Sequence, residues 1–253
     1  MRKFLVPALL ALSVFSLSGC VFMHVDTDIA ADGSGTMKAT IAMSETVQQC
    51  ILELKELDAG KSDDMDFPAF DEIDGSRMSE AGKDWGVKVT RFEKKMEGER
   101  ETLEFELAFE NLEGLSYVMN RTLGDGQDSE GMAIFDAGDG NLVLRNTTYD
   151  FPPVPADEKE EKAAEDDAPA QMDPEKMGRQ MEIMGKMMSA LAELDVRFRI
   201  TVPGDIVSSN APETDGRTST WSINSSNMMA AEANMDPEIV FSGKGLKIEP
   251  RKE

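Results

Sequence analysis

The sequence is poor in the side chains that most catalytic sites require. Its 253 residues include one histidine and two cysteines. With His24 as the lone imidazole, histidine-based triads and the usual zinc sites lack parts, and His24 itself reads as an ordinary strand residue. Glycine-rich phosphate loops of the Walker or dinucleotide type are missing. The stretch Asp28 to Gly33 does not open a twelve-residue calcium loop, because Ala30 stands at position three and Ala39 at position twelve. Carboxylate pairs are everywhere, and 49 acidic residues single none of them out for acid–base work. We therefore assign no catalytic residue, no cofactor and no metal site, and read the chain as non-enzymatic.

Basic residues are also scarce, with 26 lysines and arginines against 49 acids and a net charge of −23. Nucleic acid is excluded as a partner, since phosphate binding depends on cationic neutralisation and this surface repels a polyanion at long range. Anionic lipid headgroups are repelled for the same reason. Long apolar runs are missing after the first residues, where a membrane span would need about 20.

The exception is the start, "MRKFLVPALLALSVFSLSGCVFMHVD". Arg2 and Lys3 precede an apolar stretch from Phe4 to Leu17 that closes on small residues, the order of a secretory signal removed after export. Removal lowers 26 basic residues to 24 against 49 acidic ones and takes the net charge from −23 to −25.

Leu17-Ser18-Gly19-Cys20 resembles the bacterial lipobox. The resemblance implies cleavage between Gly19 and Cys20, a diacylglycerol thioether on the Cys20 thiol, and usually acylation of the new amino terminus. One acyl chain is a marginal anchor, whereas two or three are lasting, at ~0.8 kcal/mol per buried CH₂. Attachment to the membrane then comes from acyl chains rather than from a basic patch. Val21 rather than aspartate follows the cysteine, which favours the periplasmic side of an outer membrane over the outer face of the cytoplasmic membrane.

With Cys20 lipidated, Cys50 has no partner for a disulfide. In "SETVQQCILELKEL", Val47, Cys50, Ile51, Leu54 and Leu57 recur at helical spacing after a Ser44 N-cap. Cys50 is thus expected in the core.

Alternation predicts an α+β fold of antiparallel hairpins and sheet with a few helices. Val25, Thr27 and Ile29 share one strand face and Met37, Ala39, Ile41 and Met43 another, turning at Asp32-Gly33. A short helix at "SRMSEAGKDWG" precedes two strands that turn near Glu97 to Glu99. Leu103, Phe105, Leu107 and Phe109 mark the buried face of the second. A helix at "LEGLSYVMNRTL" and a hairpin turning at Ala137 to Asn141 follow.

The expected organisation is a leader at 1–19, a first α+β part at 20–151, an acidic, proline-flanked loop at 152–172, a methionine-rich helix at 173–194, and closing strands with a charged tail at 195–253. The loop has too few apolar groups to offset ordering and reads as a solvated spacer, with loose calcium binding as the alternative. The helix, with Asp173 as cap and Pro174 at its first position, carries Met177, Met181, Met184, Met188 and Leu191 along one seam. Core packing is the primary expectation for it. The alternatives are a groove for a lipid tail or partner helix, because methionine adapts to irregular shapes, and Cu(I) held by these thioethers with Met187.

In the last part, Phe198, Ile200 and Val202 alternate into Pro203-Gly204, Asn210 turns, and Asp215-Gly216 leads to Trp221 in a closing strand. The order of lipobox, DGSG hairpin, helix, paired strands, helix, further strands and this closing pattern resembles the LppM-type lipoprotein domain of bacterial envelopes. The likeness runs from Val21 to about Ile223 through short structural motifs. It implies an envelope protein, makes the acidic stretch and methionine helix an insertion within one domain, and lends no catalytic residue. Members with a C-terminal membrane span are not matched, since "IVFSGKGLKIEPRKE" reads as a short strand and a charged tail. The functional expectation is a non-catalytic, lipid-anchored envelope protein that binds a lipid, glycolipid or protein partner. A structural or assembly factor, or copper or calcium handling, is the alternative.

Overall fold

The structure is a computed structural model that describes residues 21–57, 73–97, 100–122, 130–152, 174–190, 194–227 and 236–252. It is an α+β fold built on a seven-stranded sheet and a four-stranded sheet. Strands β1 (Val21–Ile29) and β2 (Gly35–Ser44) form the first hairpin. In its turn Gly33 takes φ 87°, open to glycine at little steric cost. The Ser34 hydroxyl and amide both donate to Asp32 Oδ1, at 2.7 and 3.2 Å, and hold that carboxyl below its ordinary pKa.

On the other edge of β2 lies β4 (Arg100–Phe109), which pairs in turn with β3 (Val87–Glu97). On the other edge of β1 lies β7 (Leu194–Thr201), the parallel partner, followed by β10 (Thr218–Asn224) and the short β9 (Glu213–Asp215). The register sets an apolar row across the sheet: Phe92, Phe105, Ala39, Val25, Phe198 and Trp221 are successive cross-strand partners. The row one residue over, on the opposite face, reads Arg91, Glu106, Lys38, Asp26 and Arg199, alternating in sign from strand to strand. Lys38 meets Glu106 at 3.0 Å and Arg199 meets Asp26 at 3.1 Å. One face is therefore core and the other a charged ladder, the period-2 pattern of a sheet with a single buried side.

Helices α2 (Gly75–Gly82) and α3 (Leu112–Thr122) pack on the buried side. Asp74 caps α2 by accepting from the Ser76 amide at 2.9 Å, and Asn111 caps α3 by accepting from Gly114 at 2.8 Å. The second sheet runs β5 (Glu130–Gly138), β6 (Asn141–Thr148), β11 (Glu238–Ser242) and β8 (Ile206–Ser209). Its Ile134, Leu144, Ile239 and Phe241 join Leu103, Phe105, Leu107, Met78 and Val118 in one core. Trp85 stacks on Tyr117 at 4.1 Å, with Phe151 edge-on to both.

The hairpins expected at Asp32-Gly33 and at Ala137 to Asn141 are present, as is the closing pattern around Trp221. The segment between Pro203 and Asp215, expected as an irregular crossing, instead contains β8 and β9. Each completes the edge of a different sheet, because a short strand satisfies backbone groups that an irregular chain would leave to water. The tail also contributes: the Lys247 amide donates to Ala31 O at 2.7 Å and the Arg251 amide to Ile134 O at 2.8 Å, tying the first turn to β5.

Phe105 is fully buried at the centre of the apolar row. Phe105→Ala is expected to lower unfolding free energy by about 3–5 kcal/mol in urea titration, the range for an emptied aromatic core position.

Candidate functional site

The remaining helices, α1 (Glu45–Leu57) and α4 (Pro174–Ala190), pack on each other at one end of the large sheet. α1 starts where β2 stops: the Ser44 hydroxyl accepts from the Val47 amide at 3.4 Å, and Val47 joins the main core. Further along α1, Cys50 and Leu54 leave that core and close with Ile183 of α4 into a small separate cluster, flanked by Leu57 and Met187. Cys50 is buried as expected. Burial, helped by the Glu53 charge, pushes its thiol pKa up, so the group stays protonated and unreactive.

α4 is rich in good helix formers, yet Gly178 and Gly185 each weaken it by about 1 kcal/mol relative to alanine. Both face open space. A helix so interrupted depends on its packing against α1. That packing uses Ile183, which is buried, and Met187, which is half-buried, while Ala190, three residues on, is buried in the main core. A charged side carries Arg179, which reaches Glu53 at 3.8 Å, and Lys186, which bonds Glu182 at 3.0 Å one turn away.

The third side is the methionine seam, and it does not face the core. Met177, Met181, Met184 and Met188 are 43, 70, 45 and 58 % exposed. The core-packing expectation for these four is corrected. Two apolar stripes of equal helical spacing share this helix: the one carrying Ile183 and Met187 closes on α1, with Ala190 in the main core, and the seam methionines are left outside. Leu191, the last seam residue, lies outside the described residues, as do Gly19, Cys20 and the acidic loop from 153 to 172. Among the described residues, no group of three or more histidine, cysteine, aspartate or glutamate side chains is arranged to hold a metal ion. His24 pairs with Asp195 at 3.1 Å, linking β1 to β7.

Three surface cavities are lined by a mixture of polar and apolar groups. The first, 670 Å³, lies between α2 and β3 against Asp74, Ser76, Glu80 and Arg91. A second of 400 Å³ covers the charged ladder at Asp26, Lys38, Glu106 and Arg199. The third, 520 Å³, follows the C-terminal tail past Asp32, Glu113, Lys247 and Arg251. None of the three is lined by a seam methionine.

What the sequence reading missed is position. Val21 pairs with Met43 at the end of β2 and with Leu194 at the start of β7. The residue after Cys20 therefore lies at the same end of the sheet as the start of α1 and the end of α4. No signal in any one segment reveals this, because the pairing joins strands far apart in the chain. Among the described residues no helix is long and apolar enough to cross a membrane.

No protein-family model matches the chain. No curated protein matches its sequence. Among solved structures, the NMR structure of the folded domain of Mycobacterium tuberculosis LppM is similar to it, with a TM-score of 0.41 and 9 % identity over 88 % of this chain and 90 % of that one.

The two faces of α4 separate cleanly in energy. Ile183→Ala is expected to cost about 2 kcal/mol or more, whereas Met181→Glu is expected to change stability by under about 0.5 kcal/mol, as exposed positions do. Thermal denaturation of the two variants checks the assignment, and the reverse ranking would refute it.

Proposed function

We propose that this chain is a non-catalytic lipoprotein of the bacterial cell envelope. It is held at a membrane by acyl chains on Cys20, and it binds a lipid, glycolipid or protein partner on its surface rather than in an enclosed pocket. The observation that carries the binding reading is the exposed methionine face of α4, a set of large apolar side chains turned to solvent. A ligand-enclosing protein presents a concave, mostly apolar pocket. A partner-binding one presents an exposed apolar patch, and the second description fits the seam of α4, with Arg179, Glu182 and Lys186 on the opposite flank of the helix.

The anchor rests on Leu17-Ser18-Gly19-Cys20 and on the position of Val21, which begins β1 directly after it. The same patch also suits a structural or assembly factor of the envelope. Copper handling is the weakest of the three readings, since thioethers spaced along an exposed helix face lack a dry, convergent pocket.

Mass spectrometry of protein extracted gently from bacterial membranes tests both parts. The N-terminal peptide is expected to begin at Cys20 with a diacylglyceryl thioether, and Cys20→Ala is expected to remove the protein from the membrane fraction. A mature chain beginning elsewhere with a free thiol would refute the anchor. Under native conditions a bound lipid or protein mass is expected, and a clean monomer would refute the binding reading.

A further inference from the structure

We propose that the methionine face of α4 is a second membrane contact, with Met177, Met181, Met184 and Met188 entering the boundary between headgroups and acyl chains of the bilayer that holds the Cys20 lipids. The inference rests on the anchor reading above and names the occupant of the exposed face.

The first argument is place. A trans peptide separates consecutive Cα atoms by about 3.8 Å, so acyl chains on Cys20 start beside Val21. Val21 is paired to Met43 and Leu194, the residues that lead into α1 and out of α4. α1 runs away from that end and α4 returns to it, as the contacts of Glu53 with Arg179 and of Cys50 and Leu54 with Ile183 require. Of the seven large apolar side chains exposed among the described residues, Leu52 and the four seam methionines lie on this helix pair. The surface nearest the anchor is thus the surface richest in exposed apolar area.

The second argument is the helix itself. α4 carries seventeen residues, about 25 Å of helix at 1.5 Å per residue. Its faces divide three ways around the axis: Ile183 and Met187 against α1, the seam on one flank, and Arg179, Glu182 and Lys186 on the other. An apolar flank with basic residues on the polar side is the pattern of a helix lying in the membrane interface.

The third argument is charge. α4 holds Lys176, Arg179 and Lys186 against Glu175 and Glu182, a net positive element in a chain whose net charge is −23. Anionic headgroups repel this helix less than they repel the body as a whole.

The test uses the mature chain from Cys20, lipidated in bacteria and reconstituted in vesicles of phosphatidylethanolamine and phosphatidylglycerol, with a bimane fluorophore on M181C. The buried, protonated Cys50 thiol leaves position 181 as the reactive site. A parallel sample replaces Cys20 by an N-terminal hexahistidine tag, captured on the same vesicles through a nickel-chelating lipid. It holds the start of β1 at the surface without acylation. In both samples the bimane emission is expected to shift to the blue and to lose most of its intensity to a spin label on the lipid acyl chains. Met177→Glu combined with Met184→Glu, with an unchanged circular dichroism spectrum, is expected to abolish both effects. Quenching of the tagged sample alone, with no lipid found on Cys20, would refute the anchor and leave the docking face standing. Water-like emission from the tagged sample at the vesicle surface would overturn the proposal. So would a blue shift that appears without vesicles and grows with protein concentration, which would assign the face to a second copy.

Discussion

The parallel pairing of β1 with β7 is the constraint from which the rest of the molecule follows. A parallel pair cannot be closed by a tight turn and needs a crossover connection. Here the crossover holds everything from β2 to α4, so the hairpins, the helices and the second sheet form within one long excursion that must return in register. Register is enforced from both faces. A slip of one residue at β7 would move Phe198 and Ile200 to the solvent side and drive Arg197 and Arg199 into the core. It would also separate Arg199 from Asp26 and His24 from Asp195. Each exposed pair contributes only about 0.2–1 kcal/mol, so the ladder selects the register more than it stabilises the fold. The buried row does the latter, at roughly 1.5–3 kcal/mol for each large side chain taken out of water.

That division explains which features were legible in the sequence. Period-2 alternation identified the buried faces of β2 and β4 because both strands expose their opposite side to water, and Asp32-Gly33 located the first hairpin turn because few other dipeptides tolerate positive φ. The N-cap at Ser44 and the burial of Cys50 followed from local spacing alone. The partner of β7 did not, since a strand's pattern states which face is buried and says nothing of which distant strand lies beside it. β8 and β9 were too short to register as strands, and they owe their form to the sheet edges they complete.

The methionine helix failed for a different reason. Its seam and the Ile183–Met187–Ala190 stripe obey the same helical spacing, so periodicity offers two faces and cannot choose between them. The choice was made by α1, whose Cys50 and Leu54 close on Ile183 and Met187 of the other stripe. A motif such as Leu17-Ser18-Gly19-Cys20 is read from the chain alone, without reference to any fold. A surface read from amphipathicity is legible only once the partner of the helix is known.

The same geometry bears on how so acidic a chain would live at a membrane. On the reading proposed above, anchor and docking helix share one end of the large sheet, and β1 runs from that end to the Asp32-Gly33 turn. Nine residues of strand at about 3.3 Å each place that turn roughly 30 Å from the anchored end. The Debye length at physiological ionic strength is about 8 Å, so carboxylates at the far turn and along the C-terminal tail would lie several screening lengths from the headgroups. Repulsion between a negative body and a negative surface then falls mainly on the near end, where α4, with a positive sum of charges, stands beside the acidic α1. An acidic surface and a membrane address are compatible because the sheet separates them in space.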